Sequence, residues 1–91
     1  MSFAIYKYPI KISDVVLIRM PQGAKILCAQ VQHEQVCLWA SVNTELKDVG
    51  RLIRVVGTGH RYYEDFLRGY IGTVQQAGGQ LVWHLFDQGE I

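Results

Sequence analysis

The stretch "AKILCAQVQHEQVCLWASV", Ala24 to Val42, decides the fold. Leu27, Ala29 and Val31 alternate with Cys28, Gln30 and Gln32. After His33-Glu34 the alternation resumes, with Val36, Leu38, Ala40 and Val42 on one side and Cys37, Trp39 and Ser41 on the other. A period of two marks strands with one buried face. Pairing Val31 with Val36 places Ala29 opposite Leu38 and Leu27 opposite Ala40, so a hairpin in that register buries one continuous apolar face. The same register sets Cys28 opposite Trp39 and Cys37 opposite Gln30. The two thiols are then diagonal neighbours about 7–8 Å apart, beyond disulfide reach, and two reduced cysteines are expected.

Short strands and turn residues continue on both sides of this unit. Upstream, "FAIYKYPIKI" is aromatic and β-branched, with Pro9 marking an edge strand or a bend. "VVLIRM" follows the turn pair Ser13-Asp14 and stops at Pro21-Gln22-Gly23. Downstream, "NTELKDVG" reads as a polar loop ending at Gly50, and "RLIRVVG" as a strand. "HRYYEDFLRG" has room for one or two helical turns, Glu64 to Arg68, capped by Gly69.

"YIGTVQQAGGQLVWHLFD" is a second hairpin, turning at Gly78-Gly79. Pairing Ala77 with Gln80 sets Val74 opposite Trp83, Thr73 opposite His84, Gly72 opposite Leu85 and Ile71 opposite Phe86. "LVWHLF" is apolar at nearly every position and so reads as a central strand covered on both faces. The expected fold is one domain over residues 1–91, mainly β with α+β as the alternative. Its architecture is a compact antiparallel sandwich or strongly curved sheet of six or seven short strands with one short helix.

Hydrophobic residues make up 49% of the 91, which excludes a disordered chain. A net charge of +1, with the lysines and arginines scattered, gives no reason to expect attraction to nucleic acid or to anionic lipid. No run approaches the roughly 20 apolar residues of a membrane span. The start "MSFAIYKYPIKIS" lacks the pattern of a secretory signal, so a cytoplasmic protein is expected.

The glycine-rich run Gly57-Thr58-Gly59-His60 raises the question of phosphate binding. It lacks the lysine and spacing of a P-loop, and the third glycine and long helix of a dinucleotide fingerprint. It reads first as a flexible strand exit, and second as a set of backbone amides able to meet an anion, with Arg54 or Arg61 adding charge. His33 reads as a solvated turn residue, and His84 as a buried histidine hydrogen-bonded across the hairpin to Thr73. His60 is the most site-like of the three. His60 and His84 with Asp65 or Asp87 match no common metal-ligand spacing, so neither a metal nor another cofactor is expected. No nucleophile elbow is visible and ninety residues leave little room for a cleft, so catalysis is not expected either.

"RYYEDFLRGY" interleaves Arg61, Tyr62, Tyr63, Phe66, Arg68 and Tyr70. Aromatic and arginine side chains are the usual anchors of protein interfaces. Trp39 is a further anchor, on the hairpin face turned away from Leu38.

The ordered set "YKYPI", "MPQGAKIL", "CLWASV", "VVGTGH" and "YIGTVQQAGGQLVWHLF" resembles a family of small uncharacterised proteins encoded by tailed bacteriophages and prophages. The likeness runs over nearly the whole chain. It implies a phage-encoded interaction protein in the host cytoplasm, a stoichiometric inhibitor of a host defence protein or complex such as a CRISPR effector. Trp39, Arg61, Tyr62, Tyr63 and Arg68 would make the contacts. Two other readings stand beside it. One is a small-ligand or nucleotide sponge using Arg54, Gly57, Thr58, Gly59 and His60. The other is a virion accessory working as a homo-oligomer.

Overall fold

A computed structural model of the protein describes residues 2–91. Seven strands form two antiparallel sheets. The strands are β1 (Phe3–Pro9), β2 (Val15–Pro21), β3 (Lys25–Gln32), β4 (Gln35–Asn43), β5 (Asp48–Gly57), β6 (Tyr70–Gln76) and β7 (Leu81–Glu90). One sheet has the order β1-β4-β3 and the other β2-β5-β7-β6. The mainly-β sandwich expected from the sequence is what forms. β4 and β7 show why: each is flanked on both sides, and each carries a long apolar stretch, Val36–Ala40 on β4 and Leu81–Phe86, broken only by His84, on β7.

The sheets close on a core of Met20, Val36, Leu38, Ala40, Val42, Ile53 and Leu85, all fully buried. At about 1.5–3 kcal/mol per large side chain removed from water, this cluster is the main force holding the layers together. Both thiols are free, Cys37 buried and Cys28 half-buried.

The β3–β4 register is Val31 with Val36, Ala29 with Leu38 and Cys28 with Trp39, as the alternation requires. It then slips. A bulge between Ile26 and Cys28 brings Ile26, not Leu27, opposite Ala40, and leaves Leu27 46% exposed. The β6–β7 hairpin repeats the event. Gly72 faces Leu85 and Thr73 faces His84, but a bulge puts Tyr70, not Ile71, opposite Phe86. One extra residue in a strand turns every residue beyond it to the other face. A third bulge lies on β7, where Arg51 faces Glu90 and Ile53 faces Asp87. The bulged edge strands, β3 and β6, lie against each other along one side of the sandwich. The opposite side exposes β1 and β2 as edges, and each of these strands ends in a proline.

Three local expectations are corrected. Asp48-Val49-Gly50 belongs to β5 and not to a loop, pairing with Pro21, Met20 and Arg19. Gly50 is useful there because the Leu17 and Ile91 side chains pack 3.2 Å from where a Cβ would stand. The second hairpin has a four-residue loop, since its last ladder pair is Gln76 with Leu81. The short helix is a 3-10 turn, Glu64–Gly69. Its last glycine is no left-handed cap: a Cβ at Gly69 would lie 1.7 Å from the carbonyl oxygen of Asp87. Only glycine lets this turn press onto β7.

Asp87 is thus a joint of the structure. Arg51 on β5 grips its carboxylate with two hydrogen bonds, Nε to Oδ1 at 2.9 Å and Nη2 to Oδ2 at 2.7 Å. Arg51 Nη1 also donates to the Ala24 carbonyl at 2.7 Å, tying the β2–β3 turn to the same brace. Burial alone would raise the Asp87 pKa, but the hydrogen bonds from Arg51 and from the Gly89 N–H, with the Arg51 charge, hold it below the ordinary aspartate value. The same hydrogen bond to Asp87 outweighs burial and raises the pKa of Arg51.

Candidate functional site

β5 ends in Gly57, where the chain turns over sharply. The His60 N–H donates to the Gly57 carbonyl at 3.0 Å, and Gly59 has a φ of +89°. A left-handed residue in the third position of a hydrogen-bonded turn is the signature of type II, which glycine satisfies without strain. Gly57 is buried, and a Cβ on it would meet the His60 imidazole at 3.2 Å. The "GTGH" run is therefore a turn that folds the His60 ring back over its own strand.

From this turn the chain crosses the outer face of the four-stranded sheet. Tyr62 stacks on Phe86 of β7, with centroids 5.4 Å apart and planes at 27°. Phe66 and Tyr70 reach the same ring at 6.0 and 5.6 Å. Phe86 is the hub of this aromatic cluster, and such pairs add roughly 0.5–1.5 kcal/mol each beyond their burial. The Arg54 guanidinium lies 5.5 Å from the Phe66 centroid, and its Nε is buried with no hydrogen-bond partner.

The crossing segment does not seal against the sheet. A cavity of about 330 Å³ remains, with Val56, Tyr70, His84 and Phe86 of the sheet as its floor, Thr58 and His60 as one wall, and Tyr62 and Leu67 of the crossing segment on the other side. This lies at the lower end of the range for small-molecule sites, about 300–1,000 Å³, and its lining is largely apolar, as such sites are. A hydrogen-bonded chain runs along the floor. Thr58 Oγ1 lies 2.7 Å from His84 Nε2, His84 Nδ1 lies 2.9 Å from Thr73 Oγ1, and Thr73 Oγ1 lies 2.5 Å from the Tyr70 hydroxyl. A second hollow of about 270 Å³, lined in part by Asp14, Arg54, Arg61 and Tyr63, shares the walls Val56, His60 and Tyr62 with the first.

The family described as a domain of unknown function (DUF7352) matches residues 1–90. The chain belongs to the DUF7352 family. No curated protein and no solved structure matches it.

In this DUF7352 domain the residues singled out from sequence separate into four places. Gly57, Thr58, Gly59, His60 and Tyr62 line the cavity floored by His84, and Arg54, Arg61 and Tyr63 line its neighbour. Arg68 faces a different depression beside Asp65, Asp87 and Gln88. Trp39 lies opposite Lys7 and Cys28 on the outer face of the other sheet, and does not join the rest.

The sequence reading missed Val56, Leu67, Tyr70 and Phe86 as cavity residues. It gave His84 its Thr73 partner, which it has, but not Thr58, which closes the second ring nitrogen. Among the described residues no group of three or more His, Cys, Asp or Glu side chains converges. Among the same residues no helix is long and apolar enough to cross a membrane.

Proposed function

We propose that this DUF7352 domain is a non-catalytic binding module whose ligand is a small molecule held between the 57–70 segment and the four-stranded sheet. The observation that carries this reading is the cavity of about 330 Å³, with Tyr62 and Leu67 over a sheet surface of Phe86 and Tyr70 and a polar chain through His84. A segment laid over a sheet only to protect it would pack down. This one touches the sheet at Phe86 and Asp87 and leaves a space lined by Thr58, His60, Tyr62 and Tyr70 beside those contacts.

The test is thermal unfolding of the protein against a panel of aromatic fragments, since any ligand of the native state must raise the melting temperature by mass action. Val56→Phe fills the floor with a side chain of similar character. It should abolish the fragment-induced rise while shifting the unliganded melting temperature by only a few degrees. A rise that persists undiminished in Val56→Phe would place the ligand elsewhere and end this reading.

A second reading, a phage-type inhibitor that binds a host defence protein, draws support from the rim of the same segment. Tyr63 is 78% exposed and Leu67 52%, with the exposed Arg61 and Arg68 nearby. Exposed aromatic and arginine side chains suit a protein interface. A pull-down from host lysate beside a Tyr63→Ala/Arg68→Ala control tests it. The reading requires one stoichiometric protein that the control loses, and it fails if nothing differs between the two. That variant leaves the Tyr62–Phe86 stack in place, so the two readings can be separated.

A further inference from the structure

The hydrogen-bonded chain on the cavity floor restricts the chemistry of a ligand more tightly than the volume does. A neutral imidazole carries one N–H and one lone pair. With the proton on Nε2, His84 donates to Thr58 Oγ1, which leaves the Thr58 hydroxyl hydrogen free. At the other end Nδ1 accepts from the Thr73 hydroxyl, Thr73 accepts from the Tyr70 hydroxyl, and the Tyr70 oxygen is left with open lone pairs. With the proton on Nδ1 every bond reverses: Tyr70 then holds the free hydrogen and Thr58 the open lone pairs. Both ends, Thr58 and Tyr70, line the cavity. In either tautomer the floor offers one hydrogen at one end and one lone pair at the other.

We propose, building on the small-ligand reading above, that the cavity takes a flat, uncharged heteroaromatic ring with an amide-type edge, the N–H beside C=O of a pyrimidine nucleobase. The ring lies beside the Tyr62–Phe86 stack, and its edge meets Thr58 and Tyr70. No acidic or cationic side chain other than histidine lines this cavity, so a neutral edge is matched and an ionic one is not. A ligand with acceptors alone, such as a carboxylate, leaves one end of the chain facing a lone pair. A ligand with a donor alone leaves the free hydrogen unpaired. Sites built to hydrogen-bond a ligand reject analogues that leave their polar groups unpaired. Because the tautomer can reverse, the floor accepts the edge in either orientation. Arg54 and Arg61 in the adjoining hollow, with Asp14 between them and neutrality, mark where a phosphate on such a ring would extend.

The experiment is calorimetric titration of the intact chain with uridine, uridine monophosphate, indole and benzoate. Indole has the flat face and a donor alone, and benzoate has the flat face and acceptors alone. Uridine or its monophosphate should bind at least about tenfold more tightly than either control. Whichever of the two is tighter names the source, nucleoside or nucleotide, and both support the proposal.

Thr73→Val cuts the chain between His84 and Tyr70 and should lower uridine affinity about tenfold while leaving indole unchanged. His84→Phe should do the same, and Thr73→Val stands in for it if His84→Phe fails to fold. Indole or benzoate binding as tightly as uridine would overturn the edge assignment and leave the small-ligand reading standing. Binding of none of the four, together with no response to the fragment panel, would remove both.

Discussion

The outer face of the three-stranded sheet carries Phe3, Ile5 and Trp39, with Phe3 60% and Ile5 64% exposed. The outer face of the four-stranded sheet carries Arg54, Val56, His84 and Phe86, and residues 58–69 cross it. Both faces belong to the same sandwich and back onto the same buried cluster. One is an open surface where Phe3, Ile5 and Trp39 sit beside Lys7 and Ser41, and the other is crossed by a segment that leaves space beneath. Roofing is what creates a concave site here, because an irregular segment anchored at a few points cannot follow a pleated sheet atom for atom. The anchors are the Gly57–His60 turn, the stack on Phe86 and the Gly69 contact with Asp87.

Substitutions of graded severity can break or sharpen this contrast. The largest effect should be shared by both sheets. Leu38→Ala on β4 and Leu85→Ala on β7 should each lose about 2–5 kcal/mol of stability, because both residues are fully buried in one core. Denaturant unfolding measures it, and a loss confined to one variant would mean the layers do not depend on a common core.

Next comes the brace. Asp87→Ala leaves Arg51, whose side chain is 11% exposed, with only the more distant Glu90 carboxylate at 3.9 Å. That should cost about 2–3 kcal/mol, below the 3–5 kcal/mol of a fully buried pair because Asp87 still touches solvent. The pH dependence has a definite sign. A carboxyl whose folded pKa lies below its unfolded one stabilises the fold above the unfolded value and ceases to do so as the pH falls through the folded value. The acid limb of a stability–pH curve should therefore flatten in Asp87→Asn. An unchanged limb would remove Asp87 as its source.

Gly69→Ala acts on the roofed face alone. Its methyl group would collide with the Asp87 carbonyl, so the 3-10 turn must lift, at about 1–3 kcal/mol. Ligand-induced stabilisation should fall with it, and retained stabilisation would show that the roof need not touch β7. Phe66→Ala should cost about 1–2 kcal/mol and speed hydrogen exchange in residues 60–69 but not in β5. Exchange that quickens equally in β5 would contradict an independently seated roof. Smallest of all, Tyr63→Ala should stay within about 0.5 kcal/mol of the parent, as an exposed substitution does. A larger loss would mean that Tyr63 is a structural part of the roof.

The layers were legible in the sequence because alternation is a local signal: Val31, Ala29, Val36 and Leu38 announce one buried face, and "LVWHLF" announces a strand covered twice. The bulges at Leu27 and Ile71 were not. An added residue leaves the alternation intact on either side and changes only which side it points to. Gly69 was legible as glycine but not for its reason, since a close approach to Asp87 depends on where β7 runs. The site was half legible. Gly57–His60 and Arg61–Tyr63 are contiguous and stand out, whereas His84, Phe86 and Tyr70 join them only because the strand order is β5-β7-β6. No spacing along the chain encodes that neighbourhood.

The way the two sheets end has a consequence for life in a crowded solution. A sheet edge with free backbone groups invites another chain to add itself as the next strand, which is how β proteins begin to aggregate. Two of the four edges, β3 and β6, lie against each other. The other two carry the same pair of defences in the same order: Lys7 then Pro9 on β1, Arg19 then Pro21 on β2. Each proline withholds the amide that the next rung of a ladder needs, and each charged side chain stands on the strand that a newcomer would have to join. The exposed Phe3, Ile5 and Leu17 are sticky enough to need such guards, and the chain keeps one on every open edge.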